Sequence, residues 1–434
     1  MSPRENLSVV VLGGGTVGAQ VVRLLEEQAE DLSARVGARL EVSGVGVRDA
    51  ARPRPGVRAE LLTADLDGLL DSEPDLVVEL LGGIEPARSL ILRALTAGAS
   101  VVTANKELLA THGAELHAAA RDSGVDLYYE AAVAGAIPLL RPLRESLAGD
   151  RIRRVLGIVN GTTNYILTQM AGSGASFDDA LAQAQALGYA EADPTADVGG
   201  ADAAAKVAIL ASLAFHTRVT LADVDVAGIT QVTADDVAAA DQMGYVIKLL
   251  GIAELLEGPV GGPGVSVRVH PTLVPRTHPL AGVRDAFNAV FIEADAAGQV
   301  MFYGRGAGGE PTASAVLGDI VSTARNRVAG STGPGESSYA ELPVLPLGAA
   351  RTAYFVHLRV VDRPGVLAAV AGIFAEHGAS IRSMNQKGES DAAELVILTH
   401  PARESDLSAT VDRLRGEPSV AEVIGFMRVI GDGQ

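Results

Sequence analysis

The stretch from Gly188 to Phe215 holds the densest group of side chains able to do chemistry. Four carboxylates stand in its first half: Glu191, Asp193, Asp197 and Asp202. Its second half is an almost wholly apolar helical run with one cation, Lys206, which shares a helical face with Asp202 four residues earlier. Because a helix that is apolar on every face is usually buried, we expect a buried Lys206 that can transfer protons and help to bind an amino acid. The alternative is a solvated ion pair worth a few tenths of a kcal/mol.

Composition limits the chemistry that is open to the chain. Its 434 residues suffice for two or three domains, and its net charge of −18 argues against nucleic acid or an anionic membrane as a partner. It has no cysteine, which excludes disulfides, thiolate nucleophiles and Cys-bound metals. The N-terminus lacks a signal-peptide pattern and no run of 18 residues is wholly apolar, so we expect a soluble, cytoplasmic protein.

A glycine-rich turn near the N-terminus could bind a dinucleotide. The predicted strand Leu7 to Leu12 runs into GGGTVG at residues 13–18 and then into an amphipathic helix. A GxGxxG turn between strand and helix lets a pyrophosphate approach backbone N–H groups at the helix N-terminus. The alternative is a glycine turn of an unrelated α/β fold. The predicted contacts are Gly13, Gly15, Thr16, Val17 and Gly18.

The end of the second predicted strand, Leu40 to Val47, bears on the choice of dinucleotide. It is followed by Arg48 and Asp49, with Arg52 and Arg54 beyond. Arginine at this place favours the 2′-phosphate of NADP(H), whereas an acid favours the ribose of NAD(H). We predict NADP(H), with Arg48 as a contact and NAD(H) left open; a solvated loop is the alternative.

Two further strands lead to candidate site residues. Lys106 comes just after the predicted strand Ser100 to Thr103, at the sheet edge where open α/β sheets bind ligands, although a surface lysine is an equal alternative. Another predicted strand ends at Glu130. The small-residue turn Val133 to Ile137 follows it, and its carbonyl oxygens together with Glu130 could bind a hard cation.

The middle of the chain changes character. A polar turn, Asn160 to Asn164, precedes an apolar helix and suits a carboxylate or amide group. Residues 229–255 look helical, and strands follow up to a second glycine loop, Gly304 to Gly309. That loop is either a further cofactor loop or a simple entry into the next helix. We expect residues 138–328 to form an α+β catalytic and dimerisation domain, and helix 310–328 to complete a Rossmann-type dinucleotide-binding domain of residues 1–137.

The C-terminal part reads as a separate unit. Residues 329–350 are rich in Gly, Ser and Pro, which is typical of a linker. Residues 351–434 show the order βαββαβ of a ferredoxin-like fold. This unit offers no catalytic cluster, so we expect a role in ligand binding or assembly.

These motifs together resemble homoserine dehydrogenases with a C-terminal ACT domain, over nearly the whole chain. The segments that carry the resemblance are GGGTVG, VVTANKELLA, YYEAAVAGAIPLL, GIVNGTTNYIL, LGYAEADPTADVGGADAAAK, VHPTLVPRTHPLAGVRDAFNAV and FYGRGAGGEPTASA. The ACT likeness rests on DRPGVL at residues 362–367 and on Gly378. The resemblance implies NAD(P)-dependent interconversion of L-homoserine and L-aspartate 4-semialdehyde in threonine, methionine and isoleucine biosynthesis. It also implies a homodimer or homotetramer that threonine inhibits through the ACT domain, although this domain might serve assembly alone.

The resemblance also implies roles for single residues. It makes Lys206 the catalytic acid/base with Asp202 beside it, and places Lys106 near nicotinamide and substrate. The implied substrate-binding residues are Glu191, Asp197, Asn160, Gly161 and Thr162, and the further cofactor contacts are Thr103, Gly188, Gly306 and Gly308. A structural sodium ion is implied at Glu130 and the backbone of Val133, Gly135 and Ile137. One departure is Arg305, where the family pattern has proline.

Two rival functions share part of this pattern. Aspartate-semialdehyde dehydrogenase shares a substrate, but its thioacyl chemistry needs a cysteine that this chain lacks. A non-catalytic amino-acid sensor, with the ACT-like unit as its working part, would bind the cofactor without turning it over.

Overall fold

The computed structural model describes residues 6–258, 261–389 and 392–430. Its strands are β1 (Asn6–Leu12), β2 (Arg39–Gly46), β3 (Leu62–Thr63), β4 (Leu76–Glu79), β5 (Ser100–Thr103), β6 (Leu127–Tyr128), β7 (Ile152–Ile158), β8 (Asp225–Val226), β9 (Tyr245–Glu257), β10 (Pro263–Pro275), β11 (Phe287–Ala294), β12 (Gly298–Arg305), β13 (Arg351–Val361), β14 (Ile381–Glu389), β15 (Ala392–Thr399), β16 (Ala402–Arg403) and β17 (Val420–Val429). Its α-helices are α1 (Thr16–Glu27), α2 (Ala29–Val36), α3 (Leu66–Asp71), α4 (Ala87–Thr96), α5 (Lys106–Ser123), α6 (Gly161–Ser173), α7 (Phe177–Ala186), α8 (Thr195–Val198), α9 (Ala201–Phe215), α10 (Ala234–Gln242), α11 (Gly309–Ala329), α12 (Val366–Glu376) and α13 (Glu404–Arg415).

The chain divides into two compact units. Unit 1 comprises Met1–Val155, Ala205–Val224 and Phe287–Glu341, and unit 2 comprises Leu156–Ala204, Asp225–Ala286 and Leu342–Gln434. Helix α9 begins in unit 2 and continues in unit 1. Among the residues that the structure describes, no helix combines the length and apolarity needed to cross a bilayer.

Unit 1 contains a six-stranded parallel sheet in the order β3-β2-β1-β4-β5-β6. Strands β1 (NLSVVVL), β4 (LVVE) and β5 (SVVT) each contain a run of buried apolar residues, as expected when helices cover both faces of a parallel sheet. Helix α11 adds Ala313, Val316 and Ile320 to the same apolar core, although it comes from far downstream in the chain. This is the Rossmann-type arrangement that the glycine turn predicts.

The strand predicted to end at Glu130 is shorter in the structure. Strand β6 covers only Leu127–Tyr128, and Glu130 begins a short 3-10 helix. The buried Glu130 carboxylate accepts the backbone N–H groups of Leu140 at 2.7 Å and Arg141 at 2.9 Å, and that of Leu139 as well. These bonds turn the chain back on itself, which an extended strand cannot do.

Unit 2 is built on a sheet with the order β9-β10-β17-β13-β15-β14. Its strand β9 corrects the prediction that residues 229–255 are helical, because only Ala234–Gln242 form a helix. Gly244, at φ +82°, ends that helical segment, and β9 then pairs antiparallel with β10 along its whole length. Residues Ile247 to Ala253 are all buried, and a fully buried strand carries no alternation that distinguishes it from a helix.

The C-terminal part of unit 2 has the predicted ferredoxin-like order. Its elements run β13-α12-β14-β15-α13-β17, with the sheet order β17-β13-β15-β14. Strand β17 also pairs in parallel with β10, where Thr272 stands opposite Arg428. The pair β9–β10 and the four strands of the ferredoxin-like part therefore form one continuous sheet within unit 2.

The predicted linker of residues 329–350 makes specific hydrogen bonds. In unit 1, Gly333 N donates to Asp126 Oδ1 at 2.8 Å. In unit 2, Leu345 N donates to Val265 O at 2.8 Å. The domain boundaries proposed from the sequence stay predictions.

Candidate active site

The three spaced glycines of the GGGTVG turn have distinct steric roles. Gly13 has φ +115°, and a Cβ there would lie 2.6 Å from Leu80 O. A Cβ at Gly18 would lie 1.8 Å from the carbonyl oxygen of Gly13, whereas one at Gly15 would meet nothing within 4 Å. Gly13 and Gly18 therefore permit close packing of strand and helix, and Gly15 leaves open space at the N-terminus of α1. This arrangement fits a pyrophosphate.

Arg54 is the basic residue that approaches this turn. Its Nε is buried without a hydrogen-bond partner and lies 3.7 Å from the position of a Cβ on Gly14. Arg48 and Asp49 follow β2 and are exposed, and Asp49 Oδ1 accepts the N–H of Ala51 at 3.0 Å. A buried guanidinium nitrogen without a partner fits an anionic group bound at the turn.

The second glycine loop meets the first turn within unit 1. A Cβ at Gly309 would lie 3.0 Å from Thr16 Cγ2, and Gly308 has φ +125°. A Cβ at Gly306 would lie 2.0 Å from Asn288 Nδ2. The Asn288 amide is buried with neither its oxygen nor its nitrogen paired, a cost that a bound ligand would relieve. The sequence analysis missed Asn288 because nothing in its local pattern marks an unpaired amide.

A buried network at the ends of β4 and β5 positions Lys106. The carboxylate of Glu79 accepts the Thr103 hydroxyl at 2.6 Å and the N–H of Leu81 at 2.7 Å. The same hydroxyl accepts the N–H of Asn105 at 3.0 Å, so the Thr103 side chain is already hydrogen-bonded to protein groups. Asn105 caps α5, and Lys106 is the first residue of that helix. The sequence analysis missed Glu79 and Asn105.

Lys106 and Lys206 both lie in unit 1, and later residues of their helices line a cavity of about 90 Å³, although neither lysine is part of its wall. Helix α5 contributes Leu109 and Ala110 to its wall, and α9 contributes Ile209. Lys206 is partly exposed, which corrects the expectation that it is buried, although its helix neighbours on both sides are buried. A lysine stem can lie along an apolar wall while its ammonium group reaches the open side.

Asn160 brings two of the predicted carboxylates together in unit 2. Its Nδ2 donates to Asp197 Oδ1 at 2.7 Å and to Asp202 Oδ2 at 2.9 Å. Its Oδ1 caps α6 by accepting the N–H of Thr163 at 2.8 Å. Residues 161–164, predicted as a turn, form the first turn of that helix.

The preceding acidic segment is more open. The Thr162 hydroxyl donates to Tyr189 O at 2.6 Å and so ties this segment to α6. Gly188 and Glu191 are exposed. Hydrogen bonds from the Thr195 hydroxyl and N–H lower the pKa of Asp193, which identifies that acid as a local cap. Asp193 therefore stands apart from the carboxylates that Asn160 joins.

The candidate cation turn offers backbone oxygens. The Glu130 carboxylate accepts three N–H groups, whereas the Glu130 carbonyl oxygen accepts only one long bond, 3.5 Å from Val133 N, so the carbonyl oxygen is the more available ligand. A Cβ at Gly135 would lie 2.4 Å from Gly306 O, so this turn packs against the second glycine loop. Among the described residues, no group of three or more His, Asp or Glu side chains is arranged to hold a metal. Carbonyl oxygens are ligands that hard cations accept.

Comparison with known proteins decides the family. Residues 13–130 match the model of the homoserine dehydrogenase NAD-binding domain, residues 138–321 match that of homoserine dehydrogenase, and residues 354–418 match the ACT domain. The chain belongs to the homoserine dehydrogenase family. Homoserine dehydrogenase of Corynebacterium glutamicum is 54% identical over 431 residues, which cover 99% of this chain and 97% of that relative.

Solved structures agree with this assignment. A homoserine dehydrogenase from Thiobacillus denitrificans has a TM-score of 0.93 at 41% identity, covering 99% of both chains. A hyperthermophilic archaeal homoserine dehydrogenase in complex with NADPH has a TM-score of 0.63 at 25% identity, covering 76% of this chain and 99% of the other. The predicted fold class is confirmed, and so is the class of NAD(P)-dependent oxidoreductase. Because these relatives match over almost the whole chain and are homoserine dehydrogenases, the comparisons do not support the alternative of a non-catalytic sensor.

Proposed function

We propose that this chain interconverts L-homoserine and L-aspartate 4-semialdehyde with NADP(H) or NAD(H), within threonine, methionine and isoleucine biosynthesis. The observation that supports this most is the amide of Asn160, which joins Asp197 and Asp202 one helical turn before Lys206. Carboxylates that can hold an ammonium group thus adjoin a lysine that can move a proton.

Lys206 acts as the acid in the reductive direction. The dinucleotide, when bound, supplies the hydride, and the aldehyde oxygen becomes an alkoxide. The Lys206 ammonium stabilises that charge and gives it a proton. Lys106, fixed by the Glu79 network at the start of α5, provides a second cation near the nicotinamide and the substrate.

The substrate's two charged ends are bound by different groups. Asp197 and Glu191 bind the ammonium group. The first-turn N–H groups of Gly161 and Thr162 bind the carboxylate, because a helix N-terminus carries partial positive charge. Asn160 does not bind the carboxylate directly in this scheme, since its Nδ2 already donates to both aspartates.

The cofactor preference is for NADP(H), because Arg54 and Arg48 would pair with a 2′-phosphate. The unpaired Nε of Arg54 beside the turn supports this assignment. The remaining contacts are the glycine turn at residues 13–18, Thr103 through its backbone, and Gly188, Gly306 and Gly308. In Arg54→Ala, we expect the KM for NADPH to rise about tenfold while that for NADH stays within about twofold. Equal changes for both would argue against the 2′-phosphate and assign Arg54 to the pyrophosphate that both dinucleotides share, or to a structural role.

A sodium ion bound by the carbonyls of Glu130, Val133, Gly135 and Ile137 would brace the turn against the second glycine loop. Its expected signature is a higher thermal midpoint in sodium chloride than in choline chloride at equal ionic strength. Identical midpoints would argue against an ion at this turn.

Threonine would act through the ACT unit of a homodimer or homotetramer. A cavity of about 470 Å³ lies beside the turn after β13 and includes Asp362, Arg363 and Gln386 in its wall, groups that suit an amino acid. Millimolar threonine should lower activity, and an ACT unit used only for assembly would leave activity unchanged.

One spectrophotometric assay tests the proposed reaction. Aspartate semialdehyde should oxidise NADPH, and homoserine should reduce NADP⁺, with the corresponding change in absorbance. Cofactor binding without any absorbance change would favour a sensor over an enzyme.

A further inference from the structure

Lysine is rare in this chain, and its positions are informative. Of 35 Lys and Arg residues only four are lysines: Lys106, Lys206, Lys248 and Lys387. An ammonium group is compact, has three rotatable donors and can titrate, whereas a guanidinium is planar and permanently charged. Lysine should therefore persist where arginine cannot replace it. Two of the four belong to the proposed site and Lys387 is exposed, which leaves Lys248 without an assigned role.

Lys248 is a buried cation whose hydrogen-bond partners are neutral. It lies on β9 with 4% of its surface exposed. Its Nζ donates to Asn164 Oδ1 at 2.8 Å and to the carbonyl oxygen of Val283. Burial, followed by the nearby charge of Arg284, lowers its pKa to about 8, and Asp285 opposes this shift. Burying an ammonium group without a carboxylate partner lowers the free energy of unfolding. This cost suggests that the hydrogen bonds of Lys248 have a function beyond stability.

Those contacts hold the segment Val283–Ala286 against helix α6. Asn164, itself bonded to Lys248, donates from Nδ2 to Asp285 O at 2.8 Å. The N–H of Asp285 donates to Thr168 Oγ1 at 3.2 Å. Asp285 has φ +54°, a strained conformation for a residue other than glycine, and such strain persists only where the surroundings impose it.

The segment in turn supports the start of α6. A Cβ on Gly161 would lie only 2.8 Å from Ala286 O, so the first turn of α6 rests directly on this backbone. We propose that Lys248 is a positioning residue, which fixes Val283–Ala286 and thereby sets the Gly161–Thr162 N–H groups that receive the substrate carboxylate. Lys248 acts through these groups and does not touch the substrate. This role rests on the proposed function.

Two variants of the full-length protein test the role. Lys248→Met keeps the apolar side-chain stem and removes the hydrogen-bond donor. Lys248→Arg keeps the positive charge but replaces the compact ammonium group with a larger, planar guanidinium. Both should raise the KM for homoserine about tenfold or more, while kcat stays within about threefold and the Kd for NADP⁺ is unchanged. Lys387→Met, which removes the exposed lysine, should leave all three constants at the wild-type values.

Two outcomes would overturn the proposal. One is a KM for homoserine within twofold of wild type in whichever variant folds. The other is a parallel loss of homoserine affinity, NADP⁺ affinity and thermal stability, which would make Lys248 a general structural residue. Failure of the wild-type protein to oxidise homoserine would instead refute the proposed function, and it would be seen before any variant is compared.

Discussion

The Nδ2 atom of Asn160 lies 2.9 Å from Asp202 Oδ2 and 2.7 Å from Asp197 Oδ1. One amide group therefore joins two carboxylates from different segments of unit 2 and fixes Asp202 a helical turn before Lys206. Because the oxygen of the same amide caps α6, the position of the carboxylates is coupled to the helix start that we propose for substrate binding.

Asn160→Asp tests this joining role. An aspartate keeps the cap acceptor but replaces the donor with a third negative charge, which repels Asp197 and Asp202. We expect kcat/KM for homoserine to fall about 100-fold or more, with dinucleotide affinity unchanged. Ser176→Asp, a change at the exposed cap of α7, should have no such effect. A kcat/KM near wild type in Asn160→Asp would mean that the amide donor is dispensable.

The low pKa of Lys248 can be measured directly because the chain has only four lysines. With lysine labelled at Cε with carbon-13, one signal should titrate near pH 8 and disappear in Lys248→Arg. Arg284 lowers and Asp285 raises the pKa of this group, each less than burial lowers it. A Lys248 signal that titrates near the usual value of 10.5 would contradict a desolvated ammonium.

The same shift predicts a pH dependence of stability. Since the folded pKa lies below the unfolded one, the unfolded chain binds more protons between about pH 8 and 10.5. The contribution of this group to the free energy of unfolding should therefore rise with pH across that window and stay at its lowest value below about pH 8, where both states are protonated. Comparing wild type with Lys248→Met isolates the contribution, and equal slopes for the two proteins would contradict it.

The sequence predicted best what local pattern determines. The glycine turn and strand Ser100–Thr103 ahead of Lys106 agree with the structure because each is encoded within about 20 residues. The structure has strand β9 where the sequence predicts a helix, because a fully buried strand lacks the periodicity that would distinguish it from a helix. The sequence could not predict that Asn160 joins two carboxylates or that Lys248 is buried against Asn164 and Val283. The partners of both residues are distant in sequence and are brought together only by tertiary packing.

The ACT unit contains an ion pair between a partly exposed arginine and a buried glutamate, and its loss should be costly. Arg428 donates to Glu404 Oε1 at 2.8 Å from Nε, and Glu404 also accepts the hydroxyl of Tyr354 at 2.6 Å. Arg428→Met leaves Glu404 charged, almost fully buried and short of a cation, which should lower the free energy of unfolding by about 3 kcal/mol. Arg359→Met removes the exposed pair with Glu422 and should cost less than about 1 kcal/mol. If denaturant titration gave the same loss in free energy of unfolding for both variants, burial of Glu404 would not contribute to the effect.

Variants of Lys206 need a control for folding, and the composition provides one. Since the chain has no cysteine, Lys206→Cys can be alkylated with 2-bromoethylamine, which builds a thioether analogue of lysine at that single thiol. Activity should be lost in the cysteine variant and regained on alkylation. A folded protein that stays inactive after complete alkylation would show that the loss is not due to the missing ammonium.

The most direct test of the catalytic assignment is turnover in Lys206→Ala at saturating homoserine and NADP⁺. We expect kcat to fall about 100-fold or more, because the proton acceptor for the substrate hydroxyl is lost, while the Kd for the dinucleotide stays near the wild-type value. Wild-type turnover in Lys206→Ala would contradict the assignment of Lys206 as the acid/base.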